Sequence, residues 1–236
     1  MAERSGLDVQ RRQLLSARGL HVAYGATPAL RGASIDVDEA EIVALVGPSG
    51  SGKSTLLLCL AGVAVPDDGV VAFDGRVVSE MSDAERTALR RTCFGFVMQF
   101  GHLVPDMSVL ENVALPLMLR GVPRKEAEAA AAESLAGLGL TSESSRRPGE
   151  LSGGEQQRAA VARALIGGPR VVFADEPTGS LDTANGDVVM SLLTERARQI
   201  GTAVVIVTHD QSRLESVDRV VRMRDGVDEI GEQVPA

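Results

Sequence analysis

The stretch Gly47-Pro48-Ser49-Gly50-Ser51-Gly52-Lys53-Ser54-Thr55 fits the phosphate-binding template G-x-x-x-x-G-K-S/T. It follows the apolar run Ile42-Val43-Ala44-Leu45-Val46 and precedes Leu56-Leu57-Leu58-Cys59-Leu60-Ala61. That order predicts a strand, a loop and a helix. Glycine lets the backbone curl until successive N–H groups face inward around phosphate oxygens, and the positive end of the following helix adds to that field. Lys53 is placed to reach the β- and γ-phosphates, and the Ser54 hydroxyl to ligate Mg²⁺. Lys53 and Lys125 are the only lysines in a chain that otherwise uses arginine, so a compact ammonium stands where a planar guanidinium would not fit. A Gly/Ser linker would match the composition of this stretch but not its flanking apolar runs. It predicts a nucleoside-triphosphate site.

A chain of 236 residues suits one large α/β domain or two small ones, and 44% hydrophobic residues can bury a substantial core. Aromatics amount to 3% with no Trp, too few for a nucleic-acid stacking platform. A net charge of −8 opposes non-specific binding to DNA or RNA. The apolar runs fall far short of the roughly 20 residues a membrane span needs, and residues 1–20 show no signal-peptide core. Cys59 and Cys93 lie in apolar contexts and read as buried thiols in a reducing compartment. The expectation is a cytoplasmic chain that reaches a membrane only through a partner.

Along the chain, residues 1–12 with Arg4, Arg11 and Arg12 read as a flexible extension. Leu14 to Tyr24 and Leu30 to Val37 alternate apolar and polar residues, as half-buried antiparallel strands do. Tyr24, the only tyrosine, is a strand-end ring able to pack or to stack on a nucleobase. Val70 to Val78 around Asp74-Gly75 predicts a hairpin, and Glu80 to Arg91 a helix with Arg86, Arg90 and Arg91 on a solvated face. Phe94 to Met98 is a short strand ending in Gln99, and strand ends of open α/β sheets are where ligand contacts fall. Met107 to Leu119 is apolar and interrupted by Pro116, and Pro123 to Leu138 is an Ala/Glu-rich helix. With no linker and no repeats, the chain reads as one domain, 1–236, with an inserted helical lobe at about 100–165.

Leu151-Ser152-Gly153-Gly154-Glu155-Gln156-Gln157-Arg158 opens another helix. Ser152 with Glu155 makes a capping box. Capping does not explain Gly153-Gly154, a poor pair for a first helical turn but one that lets an anion approach the backbone. The strand Arg170 to Ala174 runs into Asp175-Glu176. Paired carboxylates at a strand end call for a cation or solvent. Asp175 can hold Mg²⁺ through water, which leaves Glu176 to orient or deprotonate an attacking water. Ser180-Leu181-Asp182 starts a further helix, and Ala203 to Val207 is a buried strand ending at His209, on the same edge as Gln99 and Asp175. His21 and His102 read as incidental.

Taken together, these residues resemble the ATP-binding subunit of an ABC (ATP-binding cassette) transporter from about Leu14 to Gly226. The motifs stand in the family's order: Tyr24 as adenine stacker, 47–55 as Walker A, Gln99 as Q-loop, 151–158 as signature, 171–176 as Walker B, 180–182 as D-loop and His209 as switch histidine. The resemblance implies a phosphate-loop ATPase core with a mainly parallel sheet, an N-terminal antiparallel β-subdomain and an inserted α-helical subdomain. It implies ATP and Mg²⁺ as cofactors, with Ser54, Gln99 and Asp175 at the metal and Glu176, His209 and Gln99 at the chemistry. It further implies a homodimer in which each nucleotide lies between one subunit's Lys53 and the other's Ser152, Gly153, Gly154 and Asp182. Glu111-Asn112-Val113, Leu115-Pro116-Leu117, Arg147-Pro148-Gly149-Glu150 and Glu176 to Asp182 look like the LolD/MacB/FtsE-like group. That implies a permease docked near Gln99–Leu119, at the cytoplasmic face of the membrane. The apolar Phe100, Leu103, Val104, Met107 and Val109 would form the docking surface. Ala40 stands where the family has Gly, and Gln211 where it has Pro. A soluble relative acting on ribosomes or DNA is the alternative, opposed by the single set of motifs and by the short stretch, 100–150, between Gln99 and the signature.

Overall fold

A computed structural model describes residues 12–233 of the protein, and residues 1–11 of the expected extension lie outside it. Arg12 is described, and it is tied down: its guanidinium pairs with Asp74 at 2.6 Å.

In chain order the elements are β1 (Gln13–Tyr24), β2 (Thr27–Asp38), β3 (Ile42–Val46), α1 (Lys53–Leu60), β4 (Asp68–Phe73), β5 (Arg76–Val77), α2 (Asp83–Cys93), β6 (Phe94–Met98), α3 (Val109–Leu119), α4 (Arg124–Ala136), α5 (Gly153–Leu165), β7 (Val171–Asp175), α6 (Thr183–Ile200), β8 (Ala203–Val207), β9 (Arg219–Arg224) and β10 (Val227–Gln233). Two sheets result. One is antiparallel, in the order β2-β1-β4-β5; the other runs β10-β9-β3-β8-β7-β6, parallel throughout except for β10. The strands β3 and β8 are buried at every residue. Unbroken apolar runs of this kind are what a sheet covered on both faces requires. One face packs on α1 and the antiparallel sheet, the other on α5 and α6. The expected α/β architecture is the one observed.

The lobe of α3, α4 and α5 has a small core of its own, which includes Leu103, Val109, Val113, Ala131 and Leu135. Two of the side chains expected on a docking surface, Leu103 and Val109, are therefore core. Phe100, 62% exposed, and Val104 remain outside. Pro116 does not interrupt α3 but lies within it. The helix starts at a Ser108–Glu111 capping box, and Val113, Ala114 and Leu117 pack it on the lobe core, which holds it continuous past the missing N–H.

Two side chains of α2 also differ from expectation. Arg86 and Arg90 turn inward to donate to the Met81 and Gly62 carbonyls instead of facing solvent. Cys59 is buried, and burial pushes its thiol up to about 11. Cys93 is only half-buried. Ala40 adopts φ 57, the left-handed turn that glycine takes at less cost.

Candidate nucleotide site

Parallel strands bring their carboxyl ends to one edge. Leu45 and Asp175 both pair with Val207, and Met98 pairs with Asp175. The residues just beyond these (the loop 47–55, Gln99, Glu176 and His209) are thereby gathered from four distant parts of the sequence. The loop enters α1 through Gly52 at φ 98, where a Cβ would lie 2.5 Å from the Ala29 carbonyl oxygen. No side chain caps α1, so its first-turn N–H groups face the loop's concavity without intrahelical partners.

Lys53 is 7% exposed, and its Nζ donates to the Gly47 and Pro48 carbonyls at 2.9 and 2.8 Å. Ser51 Oγ is buried with no hydrogen-bond partner. Ser54 Oγ donates to Asp175 Oδ1 at 3.0 Å. Burial holds the Asp175 carboxyl above its ordinary pKa; the Ser54 hydrogen bond opposes that rise, neighbouring Glu176 adds to it, and Lys53 counters. His209 Nδ1 lies 2.8 Å from Glu176 Oε2, and Glu176 holds a left-handed backbone at φ 49. A non-glycine residue in that region is strained, and such strain clusters at functional sites. Lys53, Ser54, Glu176 and His209 bound a cleft of about 450 Å³, with Tyr24, 59% exposed, at its rim beside Ala29 and with Ser49, Gly50, Gly52 and Thr55 in its wall; Gln99 and Asp175 lie outside its lining.

The second glycine-rich helix start lies elsewhere. Ser152 Oγ accepts from Glu155 N–H while Glu155 accepts from Ser152 N–H, the capping box read from sequence. Ser152 and Gly153 are exposed. Gly154 is buried under Asn185, whose Oδ1 would lie 2.9 Å from a Cβ at that position. Asn185 also donates to Asp182 from both its backbone and its side chain, at 2.9 and 2.7 Å, so Asp182 is the N-cap of α6. None of Ser152, Gly153, Gly154 or Asp182 lines the cleft. Gln99 folds its amide over Gly179, and its carbonyl accepts from Ser180 Oγ at 3.0 Å.

Residues 30–179 match the family described as ABC transporter. The chain belongs to this family. It is similar to the lipoprotein-releasing system ATP-binding protein LolD of Bacteroides thetaiotaomicron, 46% identical over 90% of this chain and 98% of the relative. To LolD 2 of Caulobacter vibrioides it is 48% identical over 90% and 95%. Among solved structures it resembles the cassette MJ0796, in a dimeric post-hydrolysis state with ADP and Pi, with TM-score 0.86 and 34% identity over 94% of this chain and all of that one. As an ABC transporter subunit the chain binds ATP and hydrolyses it.

In the sequence Gln157 falls within the signature stretch 151–158 without a role of its own, and nothing there singles out Arg163 or Asn185. Gln157 donates to the Met98 carbonyl at 2.9 Å, and Arg163 to the Gly101 and His102 carbonyls at 2.6 and 2.8 Å. The partners of Gln157 and Arg163 are backbone atoms about sixty positions away, which leave no residue-type pattern to read, whereas Asn185 pairs with Asp182 three positions before it.

Proposed function

We propose that this ATPase subunit works as an ATP-sandwiching homodimer on the cytoplasmic face of a membrane, driving a separate permease in lipoprotein release. The observation that carries this reading is the separation of two anion-suited helix starts in one chain. One lines the cleft and the other faces outward, so a single copy leaves its second start without a nucleotide to meet. The names of the relatives support the cargo, and the dimeric MJ0796 cassette supports the pairing. Among the described residues no helix is long and apolar enough to cross a membrane; in this proposal the spans belong to the permease. The whole chain, 1–236, serves as one nucleotide-binding domain with its helical lobe at about 100–165.

In this reading Tyr24 stacks on the base, residues 47–55 cradle the phosphates, and Lys53 leaves the Gly47 and Pro48 carbonyls for the β- and γ-oxygens. The donor set fits Mg²⁺: a hydroxyl and a carboxylate 3.0 Å apart, the carboxylate half-buried and in need of a cation. Ser54, Asp175 and Gln99 would hold the ion, which when bound neutralises charge on the phosphate oxygens. Glu176 accepts a proton from water as the water oxygen attacks the γ-phosphorus and the bond to the bridging oxygen breaks, leaving ADP and phosphate. His209 orients the Glu176 carboxylate. The second copy presents Ser152, Gly153, Gly154 and Asp182 across the interface.

Glu176→Gln should retain ATP binding and lose turnover by on the order of 100-fold or more. Sedimentation of that variant should show a dimer with ATP and a monomer without. A monomer at saturating ATP, with the permease supplied, sinks the shared site. For docking, Phe100→Asp should abolish co-purification with the permease while basal ATPase survives, because Phe100 is outside both the cleft and the lobe core. Loss of both together would move the docking surface elsewhere.

A further inference from the structure

The turn that carries Gln99 is held from two sides. Gln157 and Arg163, both on α5, take the carbonyls of Met98, Gly101 and His102. Ser180, in the loop after Glu176, takes the carbonyl of Gln99. The remaining carbonyl, that of Phe100, accepts from His102 N–H at 2.7 Å. Every backbone acceptor from 98 to 102 is thus satisfied, three of them by long polar side chains from one helix.

That is more than a surface connection needs, since an exposed turn can leave its carbonyls to water. It is also costly. Gln157 is 1% exposed. Arg163 donates to these carbonyls and, among the described residues, to no carboxylate; burial pulls its guanidinium below the ordinary value. A half-buried charge answered only by carbonyls is a costly way to shape a loop. The turn itself is strained at His102, left-handed at φ 45, next to Gly101, which takes the same region without cost. It is also pressed against α5, so that a Cβ at Gly101 would lie 3.2 Å from the Gln156 carbonyl oxygen. Strain and buried polarity concentrated within three residues of Gln99 mark a place where geometry is being fixed.

We infer that Gln157, Arg163 and Ser180 are positioning residues for Gln99, stapling its turn between α5 and the loop after Glu176 so that those two elements jointly set its approach to the nucleotide. The inference rests on the proposed role of Gln99 at the nucleotide edge. Because Ser152 caps α5, the staple makes one rigid piece of the helix that, in the proposed dimer, meets the other subunit's ATP and the turn that meets this subunit's own. Ser180 lies two residues before Asp182, so the third contact ties the same turn to the loop that Asn185 secures beside Gly154.

The test is a double-mutant cycle on the full chain, reading kcat, KM for ATP and Tm. Gln157→Leu and Ser180→Ala are each made with Gln99 intact and with Gln99→Ala. With Gln99 present, each should lower kcat, Gln157→Leu by on the order of ten-fold, and leave KM within about two-fold, because the phosphate loop is untouched. In the Gln99→Ala background the same changes should cost almost nothing further, since the residue they position has gone. Arg163→Met should behave as Gln157→Leu does, and Arg163→Lys, which keeps a donor, should recover much of the loss. Equal losses in both backgrounds, or a rise in KM tracking a fall in Tm, would overturn the inference in favour of a purely structural staple. If Gln157→Leu does not fold, Ser180→Ala, on an exposed residue, carries the cycle alone. Gln99→Ala at the wild-type rate would refute the role of Gln99 itself, a result distinguishable from failure of the staple.

Discussion

The starts of α1 and α5 meet the same requirement in opposite ways. Every helix begins with N–H groups that have no partner inside it. At α5 the chain supplies partners of its own, Ser152 and Glu155, and the serine hydroxyl is already given to the Glu155 carboxylate at 2.7 Å. At α1 it supplies none, and Ser51, just before the helix, is buried without a partner. The uncapped start lies in a cleft among charges, whereas the capped start sits on the surface. The start of α1, left uncapped in a cleft, is open to a ligand of its own. The start that is satisfied needs no ligand of its own; in the proposed homodimer it would be carried intact to a phosphate held by the other copy, which would compete with Glu155 for the Ser152 hydroxyl.

Substitutions at the two ends should separate them. The largest effect belongs to Lys53→Ala, which removes the cation of the uncapped site. ATP affinity measured by titration calorimetry should fall by on the order of 100-fold or more, as charge-assisted contacts to the phosphates are lost. Ser152→Ala should instead act through the cap. Loss of about 1 kcal/mol lowers Tm by roughly 2–4 °C in a chain of this size, while the affinity of the isolated subunit for ATP stays within about two-fold and ATP-driven dimerisation weakens. If the isolated subunit loses affinity as it does with Lys53→Ala, α5 faces the nucleotide of its own chain and the contrast fails.

The smallest effect concerns Asp175. Burial raises its pKa, so its contribution to stability is fully present below the ordinary carboxylate range and lost as pH rises through the raised value. Asp175→Asn should therefore raise the Tm of the nucleotide-free protein at pH 7 by a few degrees at most, and the gain should shrink as pH is lowered toward 4. A gain that does not depend on pH would mean that the carboxylate is not the cause.

Much of this arrangement was legible in the residues. Phe94–Met98 and Ala203–Val207 are strands at the positions their apolar runs specify, because a sheet buried on both faces leaves no polar interruption to confuse the reading. The edge that collects the loop 47–55, Gln99, Glu176 and His209 follows from those strand ends. What could not be read depended on three-dimensional neighbours. A count of apolar residues after Gln99 cannot separate Leu103, which fills the lobe, from Phe100, which does not. A helical arginine carries no mark of whether it points to solvent, as expected of Arg90, or to the Gly62 carbonyl, as observed. Pro116 shows the limit of local rules, because tertiary packing of the lobe keeps α3 continuous through it.

The pairing of β3 has a consequence for how the protein is made. This strand bears the phosphate loop, yet its neighbours are β8 and β9, with Ile42 opposite Val204 and Val43 opposite Arg219. On a ribosome adding roughly 5–20 residues per second, β3 emerges about ten to thirty seconds before either neighbour exists. During that interval its apolar run and open backbone are available to any other strand, including those of nascent chains nearby. The early hairpin of β1 and β2 can form at once, but the nucleotide loop cannot take shape until most of the chain has been synthesised.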